Sequence, residues 1–498
     1  MAVRQTVWKL VHQGQGGHRE MTLPGGDRPL ALSTTTLLIG TVVGLGAGLA
    51  FAEDVGVWLV GGLLAVILVV LTGTRPELAV STLILVLPLK GDVALVSASG
   101  LPDITVGRLL MLWSLMVVGA GIRRQRSQSD TVSDPRAGQD LMRGPLPIWV
   151  GVFLALMLLA ALRSASLVTG TQAWLDSYLL PFGALLIVTR YRWSSREVNV
   201  VVSSYLVGCI LWSLLALVES LIGRSLFTAD GALPWASGSS ILLRTGGPFI
   251  NPAVLGAAVG IGLVLAWVWA SQSGLSRHIA LACVPIAMIG LSVSLTRASW
   301  LGAVGGILVV VAGSRQSRLV LTIIAAMGLS IAAVVVVSLF GAALLESRAT
   351  STSELYSRVI VQRAALSIIA DHPLIGVGSG RFASLAGGDL RNVGAISGSF
   401  GVGILVPHNS VLSASVDGGL GAGASLVVVL GLLSVAAKRL WSVPTQRYLG
   451  IAALGCIVVF VTNAMFIDMS LGGSLATLAL TIIGILLSSP GRQGRGSS

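Results

Sequence analysis

Apolar runs close to twenty residues long recur along this chain, and charge is nearly absent within them. The stretch "YLGIAALGCIVVFVTNAMFI" (448–467) contains no Asp, Glu, Lys or Arg. About twenty such residues cross the hydrocarbon core of a bilayer as a helix. Over all 498 residues only 10% are charged, where a soluble chain averages about 25%. So few charges cannot cover a water-facing surface. A transmembrane β-barrel is excluded as well, since its strands alternate in ten-residue segments and these runs do not. The expected fold is all-α, a polytopic integral membrane protein of about 12–14 transmembrane helices.

The spans read as 32–52, 57–74, 77–97, 104–122, 147–167, 172–190, 199–222, 248–271, 279–296, 298–313, 319–345, 409–436, 448–467 and 470–488. Those at 77–97 and 298–313 are the weakest and fit re-entrant or interfacial segments. Residues 1–31 read as a cytoplasmic tail without a cleavable signal, because no apolar core follows Arg4, Lys9, Arg19 and Arg28 before the first span. Residues 32–240 form an N-terminal set of helices, 241–436 a middle region that includes the long external loop and 437–498 the last helices and tail. Basic clusters orient the chain. With the N-terminus inside, "RRQRSQSD" (123–130), "RYRWSSR" (190–196), "RQSR" (315–318), "KRL" (438–440) and "GRQGRGSS" (491–498) all fall inside. Both termini are then cytoplasmic, in the inner membrane. The net charge of +12 punctuates spans and forms no single patch, so nucleic acid is not an expected partner. The three cysteines lie in apolar runs, which argues against disulfides and a metal cluster.

Nine arginines fall outside or at the outer interface: Arg163, Arg224, Arg244, Arg297, Arg348 and, further on, Arg358, Arg363, Arg381 and Arg391. Long loops cross regardless of charge, which covers several of them. It does not cover Arg244 and Arg297, which flank spans. Charge at membrane depth is costly and usually marks a function or a buried pair. An anionic ligand at the outer face is the expectation.

The long external loop is 346–408, and unusual loop length favours function. Its first half reads as a short helix over 353–372, capped near Ser353 and stopped by Pro373. The glycines of "LIGVGSGRF" (374–382) resemble a nucleotide loop only superficially. No strand precedes them, and they suit a sharp turn and close backbone approach. The Gly/Ser-rich 383–405 reads as a mobile flap. His408 is the histidine at the outer boundary. It caps a helix through Asn409 or serves as a general base, and spacing leaves both open. Asp417 lies about 13 Å beyond it along a straight helix, which favours a packing or arginine-pairing role over a His–Asp pair.

Four stretches resemble, in order, the motifs of the O-antigen ligase family, which includes O-antigen-type polymerases. They are "RTGGPFINPAVLG" (244–256), "SLTRASWLG" (294–302), "YSRVIVQRAALSIIADHPLIGVGSGRF" (356–382) and "PHNSVLSASVDGGLGAG" (407–423). The resemblance implies a membrane glycosyltransferase of the GT-C type. Such a protein moves a glycan from a polyprenyl-diphosphate lipid donor to a glycan or glycolipid acceptor hydroxyl, inverting and without metal or other cofactor. It implies His408 as the catalytic base. Arg244, Arg297 and Arg358 are implied at the diphosphate; beside the resemblance, Arg363 and Arg381 are expected to bind the diphosphate with them, and Asn409 and Asp417 to support the site. Two departures are visible: Asp417 stands where Glu is common, and "TRAS" replaces "SRG".

The residues agree with this independently. Arginine matches phosphate oxygens bidentately and stays charged. No external Asp-x-Asp offers a metal site, and the external acids Asp103, Asp230, Glu354, Asp371, Asp389 and Asp417 are scattered. A polymerase with the same donor chemistry is the near alternative. A transporter or flippase for an anionic substrate is the alternative from another class. It is disfavoured by the lack of an internal repeat and by charges that gather outside rather than at mid-membrane.

Overall fold

The computed structural model describes residues 72–90, 94–96, 104–128, 139–228, 244–313, 353–386, 406–468 and 473–489. The expected spans 32–52 and 319–345, most of 57–74 and most of the 383–405 flap lie outside the described residues. The chain is an all-α polytopic membrane protein. Among the described residues, seven helical segments are long and apolar enough to cross a bilayer, and three shorter apolar helices accompany them.

In chain order, α1 is Pro76–Lys90, followed by a small antiparallel ribbon of β1 (Ala94–Val96) and β2 (Ile104–Thr105). Then come α2 (Val106–Gln128), α3 (Gln139–Arg143), α4 (Pro145–Leu162), α5 (Leu167–Trp174), α6 (Leu180–Val188) and α7 (Ser195–Ile222). The third group is α8 (Pro252–Trp269), α9 (Leu275–Val293), α10 (Arg297–Gly313), α11 (Ser353–Asp371) and α12 (Phe382–Leu385). The last is α13 (Ser410–Gly418), α14 (Leu420–Ser442), α15 (Arg447–Ala464) and α16 (Gly473–Ser488). The ribbon breaks the expected span 77–97, which ends as a helix at Lys90.

A π turn at Leu175–Leu179 joins α5 to α6. Pro181, two positions on, has no N–H for the regular ladder, so one extra residue is accommodated there. Asp176 in this turn takes a two-pronged ion pair from Arg108 of α2, at 2.7 and 2.6 Å. α8 is buried nearly all round, from Val254 to Trp269. A helix apolar on every face belongs at a core, and α8 is the centre of this bundle. α7, α9, α10 and α15 surround it.

The run 409–436 is not one span. It is divided at Gly419, whose φ of 83° and whose approach to the Leu374 carbonyl exclude a side chain. α13 turns back there and lies across the first turn of α14, with Gly423 beneath Val411 and Ser415. The period-3.6 pattern continues through both helices, so the break is carried by two adjacent glycines and by tertiary contact.

Candidate active site

The motif at 244–256 is largely spent on fastening the chain. Glu219, at the end of α7 and 1% exposed, accepts hydrogen bonds from the Ser225 hydroxyl and from the Leu226 and Gly247 backbone amides. Phe249 packs edge-on against Trp212, with ring centroids 5.1 Å apart. Asn251 caps α8 by accepting from the Ala253 amide, and Pro252 takes the first helical position. Arg244 is left at the mouth of this turn, and its guanidinium donates to Thr296 Oγ1 at 3.2 Å.

Thr296 directly precedes Arg297, the first residue of α10. One turn on, Ser299 donates to Asn463 Oδ1 at 2.8 Å. Asn463 lies at the end of α15, and its carbonyl accepts from the Phe466 and Ile467 amides. The turn at 465–468 is in turn the seat of α13. Ser410 donates to the Ile467 carbonyl at 2.9 Å, and Ser413 donates to Asp468. The Arg358 guanidinium of α11 sits 5.6 Å from the Phe466 ring centroid, a cation–π distance. Arg244 thus reaches the residue before Arg297, while Arg358 and His408 lie against the 465–468 turn, to which α10 is tied through Ser299 and Asn463.

His408 has a left-handed backbone, φ 51°. Asn409 is the N-cap of α13, accepting from the Val411 and Leu412 amides at 3.0 and 3.1 Å. The two readings of "PHN" are therefore divided between two residues: Asn409 caps, and the imidazole next to it does not. Burial, and after it the Arg358 cation, hold the His408 pKa below its ordinary value of 6.5, while the Asp468 carboxylate opposes them. A lowered imidazole pKa means a neutral ring near pH 7.

Asp468 is the residue the sequence did not single out. It is 3% exposed, lies against α13 and acts electrostatically on both His408 and Asp417. Its sequence context is the short gap between two spans, which carries no local signature. Asp417, on the same face of α13 as Ser413, is pushed well above the carboxylate range by burial and by the Asp468 charge, and a hydrogen bond with Ser379 opposes this.

The glycine-rich turn is built against this junction. Val377 and Gly378 donate backbone N–H groups to the Val416 and Asp417 carbonyls at 2.8 and 3.0 Å. Leu420 N–H donates to the Pro373 carbonyl, and Ser379 N–H to the Ala160 carbonyl at the end of α4. Gly376, φ 61°, has the Val416 and Asp417 backbone where its Cβ would stand, at 2.4–2.5 Å. Arg163 donates to the Ile375 and Gly376 carbonyls at 2.6 and 3.1 Å. This arginine clamps the turn. Arg363 is exposed on α11, whose packed face is Val361, Ala364, Ala365, Ile368 and Ile369. Arg381 is exposed at the start of α12. No described hydrogen bond or ion pair ties either to the His408 cluster. Among the described residues, no three His, Cys, Asp or Glu side chains gather as metal ligands.

Residues 281–427 match the family model described as O-Antigen ligase. That segment belongs to the O-antigen ligase family. The O-antigen ligase segment runs from within α9 into α14 and contains Arg297, Arg358, His408, Asn409 and Asp417. Arg244 and Asp468 lie outside it in sequence and reach it through Thr296 and Ser413. Among curated proteins, none matches the chain. The match supports an O-antigen ligase- or polymerase-type function in general, a class whose substrates are a lipid-linked glycan and an acceptor.

Proposed function

We propose that the protein transfers a glycan from a polyprenyl-diphosphate lipid to an acceptor hydroxyl at the outer face of the inner membrane, with inversion and without a metal. The observation that carries this reading is a neutral-tending imidazole, His408, beside Arg358, with the Arg244–Thr296 hydrogen bond next to Arg297 tied to the same turn through Ser299 and Asn463. An imidazole nitrogen of His408 takes the acceptor O–H proton. The acceptor oxygen bonds to the anomeric carbon as the bond from that carbon to the diphosphate oxygen breaks. The polyprenyl diphosphate leaves with the bonding pair. Fixed arginine cations stabilise the charge gained by that leaving group more than they stabilise the bound donor. Asp468 stabilises the imidazolium that forms, since a nearby carboxylate favours the charged ring.

The polymerase reading shares every step and differs only in the acceptor, a second lipid-linked glycan. The deciding experiment is transfer by the purified protein with a polyprenyl-diphosphate glycan, with and without chelator, against single candidate acceptors. Product with a glycolipid acceptor in chelator supports the ligase reading. Product only with a second lipid-linked glycan assigns the polymerase. Substrate movement across liposomes with no covalent product overturns both.

A further inference from the structure

At the end of α4 far from the glycine-rich turn lies a cavity of about 540 Å³ lined by Ile122, Gln125, Arg126, Arg143, Arg190 and Arg192. α4 separates the two places. Its C-terminal Ala160 and the adjoining Arg163 hold the turn, and its first residue, Pro145, follows the cavity by two positions. Its 18 residues span about 27 Å, so this cavity is not part of the His408 site.

Three elements converge on it: the end of α2, the end of α3 and the connection from α6 to α7. The connection is fixed by a reciprocal pair of bonds. Gln125 Nε2 donates to the Arg192 carbonyl at 3.0 Å, and the Arg192 amide donates to Gln125 Oε1 at 2.9 Å. This clamp brings Arg190 and Arg192 beside Arg126. No carboxylate lines the cavity, and none of these four arginines is salt-bridged among the described residues. The adjacent acid, Glu197, is already engaged by the Tyr191 hydroxyl and the Ser194 amide. Four guanidinium groups around one small volume repel one another unless an anion lies between them. The planar fork of arginine fits phosphate oxygens above other anions.

The apolar flank indicates where the phosphate comes from. Ile122 forms part of the wall, and Ile148 and Trp149, 66% and 38% exposed, stand on the first turn of α4. A tryptophan at the end of a membrane helix marks headgroup depth. Basic pockets between membrane helices at that depth bind anionic lipid headgroups. We propose that this cavity holds a phosphate ester, the headgroup phosphate of an anionic membrane lipid.

The test compares phosphatidylglycerol with phosphatidylcholine, retained on full-length protein after detergent delipidation and counted by native mass spectrometry. Wild type is expected to keep phosphatidylglycerol preferentially. The double variant Arg143→Gln/Arg190→Gln, both exposed positions, is expected to lose that preference roughly tenfold or more, and Arg126→Gln part of it. The pair Arg123→Gln/Arg124→Gln, exposed on the same helix end but outside the cavity, is expected to keep it. Equal loss in that control pair would reduce the effect to diffuse attraction and overturn the site. A second arm measures the melting temperature of delipidated protein in inorganic phosphate against chloride at matched ionic strength. A saturable phosphate shift that needs Arg143 and Arg190, without lipid preference, overturns the lipid source and keeps the phosphate chemistry. Absence of both the lipid preference and the phosphate shift overturns the proposal.

Discussion

His408 combines a left-handed backbone with an imidazole biased toward neutrality, and the two properties need separate tests. Asparagine tolerates φ > 0 better than alanine does, so His408→Asn removes the base with little backbone cost. It should lower transfer about 10²–10⁴-fold while the melting temperature stays near wild type. The pH profile carries a sign that can be checked. The lowered pKa keeps the ring neutral into mildly acidic solution, so the acid limb of kcat/KM should fall below 6.5. Arg358 lowers that pKa and Asp468 raises it. Arg358→Gln should therefore move the acid limb upward, and Asp468→Asn should move it downward. Equal profiles for all three proteins would sever His408 from the rate. Arg244 and Arg297 stand out in the sequence because both flank apolar runs. Asp468 does not, because its partner Ser413 is 55 residues away and nothing local distinguishes it from a carboxylate in a span connection.

Most helices were legible because bilayer length and apolar composition are strong, local signals. α7, α8, α9 and α15 fall close to the expected spans, and α11 to the expected loop helix that Pro373 ends. The span 77–97 failed at the ribbon, and the larger failure was at 409–436. Hydropathy reads α13 and α14 as one run, while the break at Gly419 is imposed by contact with the Leu374 carbonyl, 45 residues earlier. The glycine turn was read correctly as a close-approach device, but the surface it approaches was not in the local sequence. Gly376→Ala should be destabilising. The left-handed backbone costs a side chain about 1–2 kcal/mol, and its Cβ also meets the Asp417 carbonyl. Asn409→Ala removes the α13 cap and should cost about 1 kcal/mol. Both are measured as a fall in melting temperature in detergent. The Asn409 variant should lose rate as well, because the cap positions the residue beside it.

At the scale of the molecule, α4 joins the two features that carry charge: the basic cavity near its start and the clamped turn near its end. Its length of about 27 Å lies just under the ~30 Å hydrocarbon core of a typical bilayer. A rigid helix fixed at both ends can answer a change in membrane thickness only by tilting or by deforming the lipid, at a fraction of a kcal/mol per ångström. Tilt would work against the Arg163 bonds to Ile375 and Gly376, and through Gly376 against the backbone of α13. Reconstituted in lipids of graded acyl length, the protein should show a maximum in transfer rate at chains matching α4 and a decline on either side. Arg163→Gln should flatten that dependence. Hydrophobic mismatch at one helix would then set the rate of chemistry at its far end.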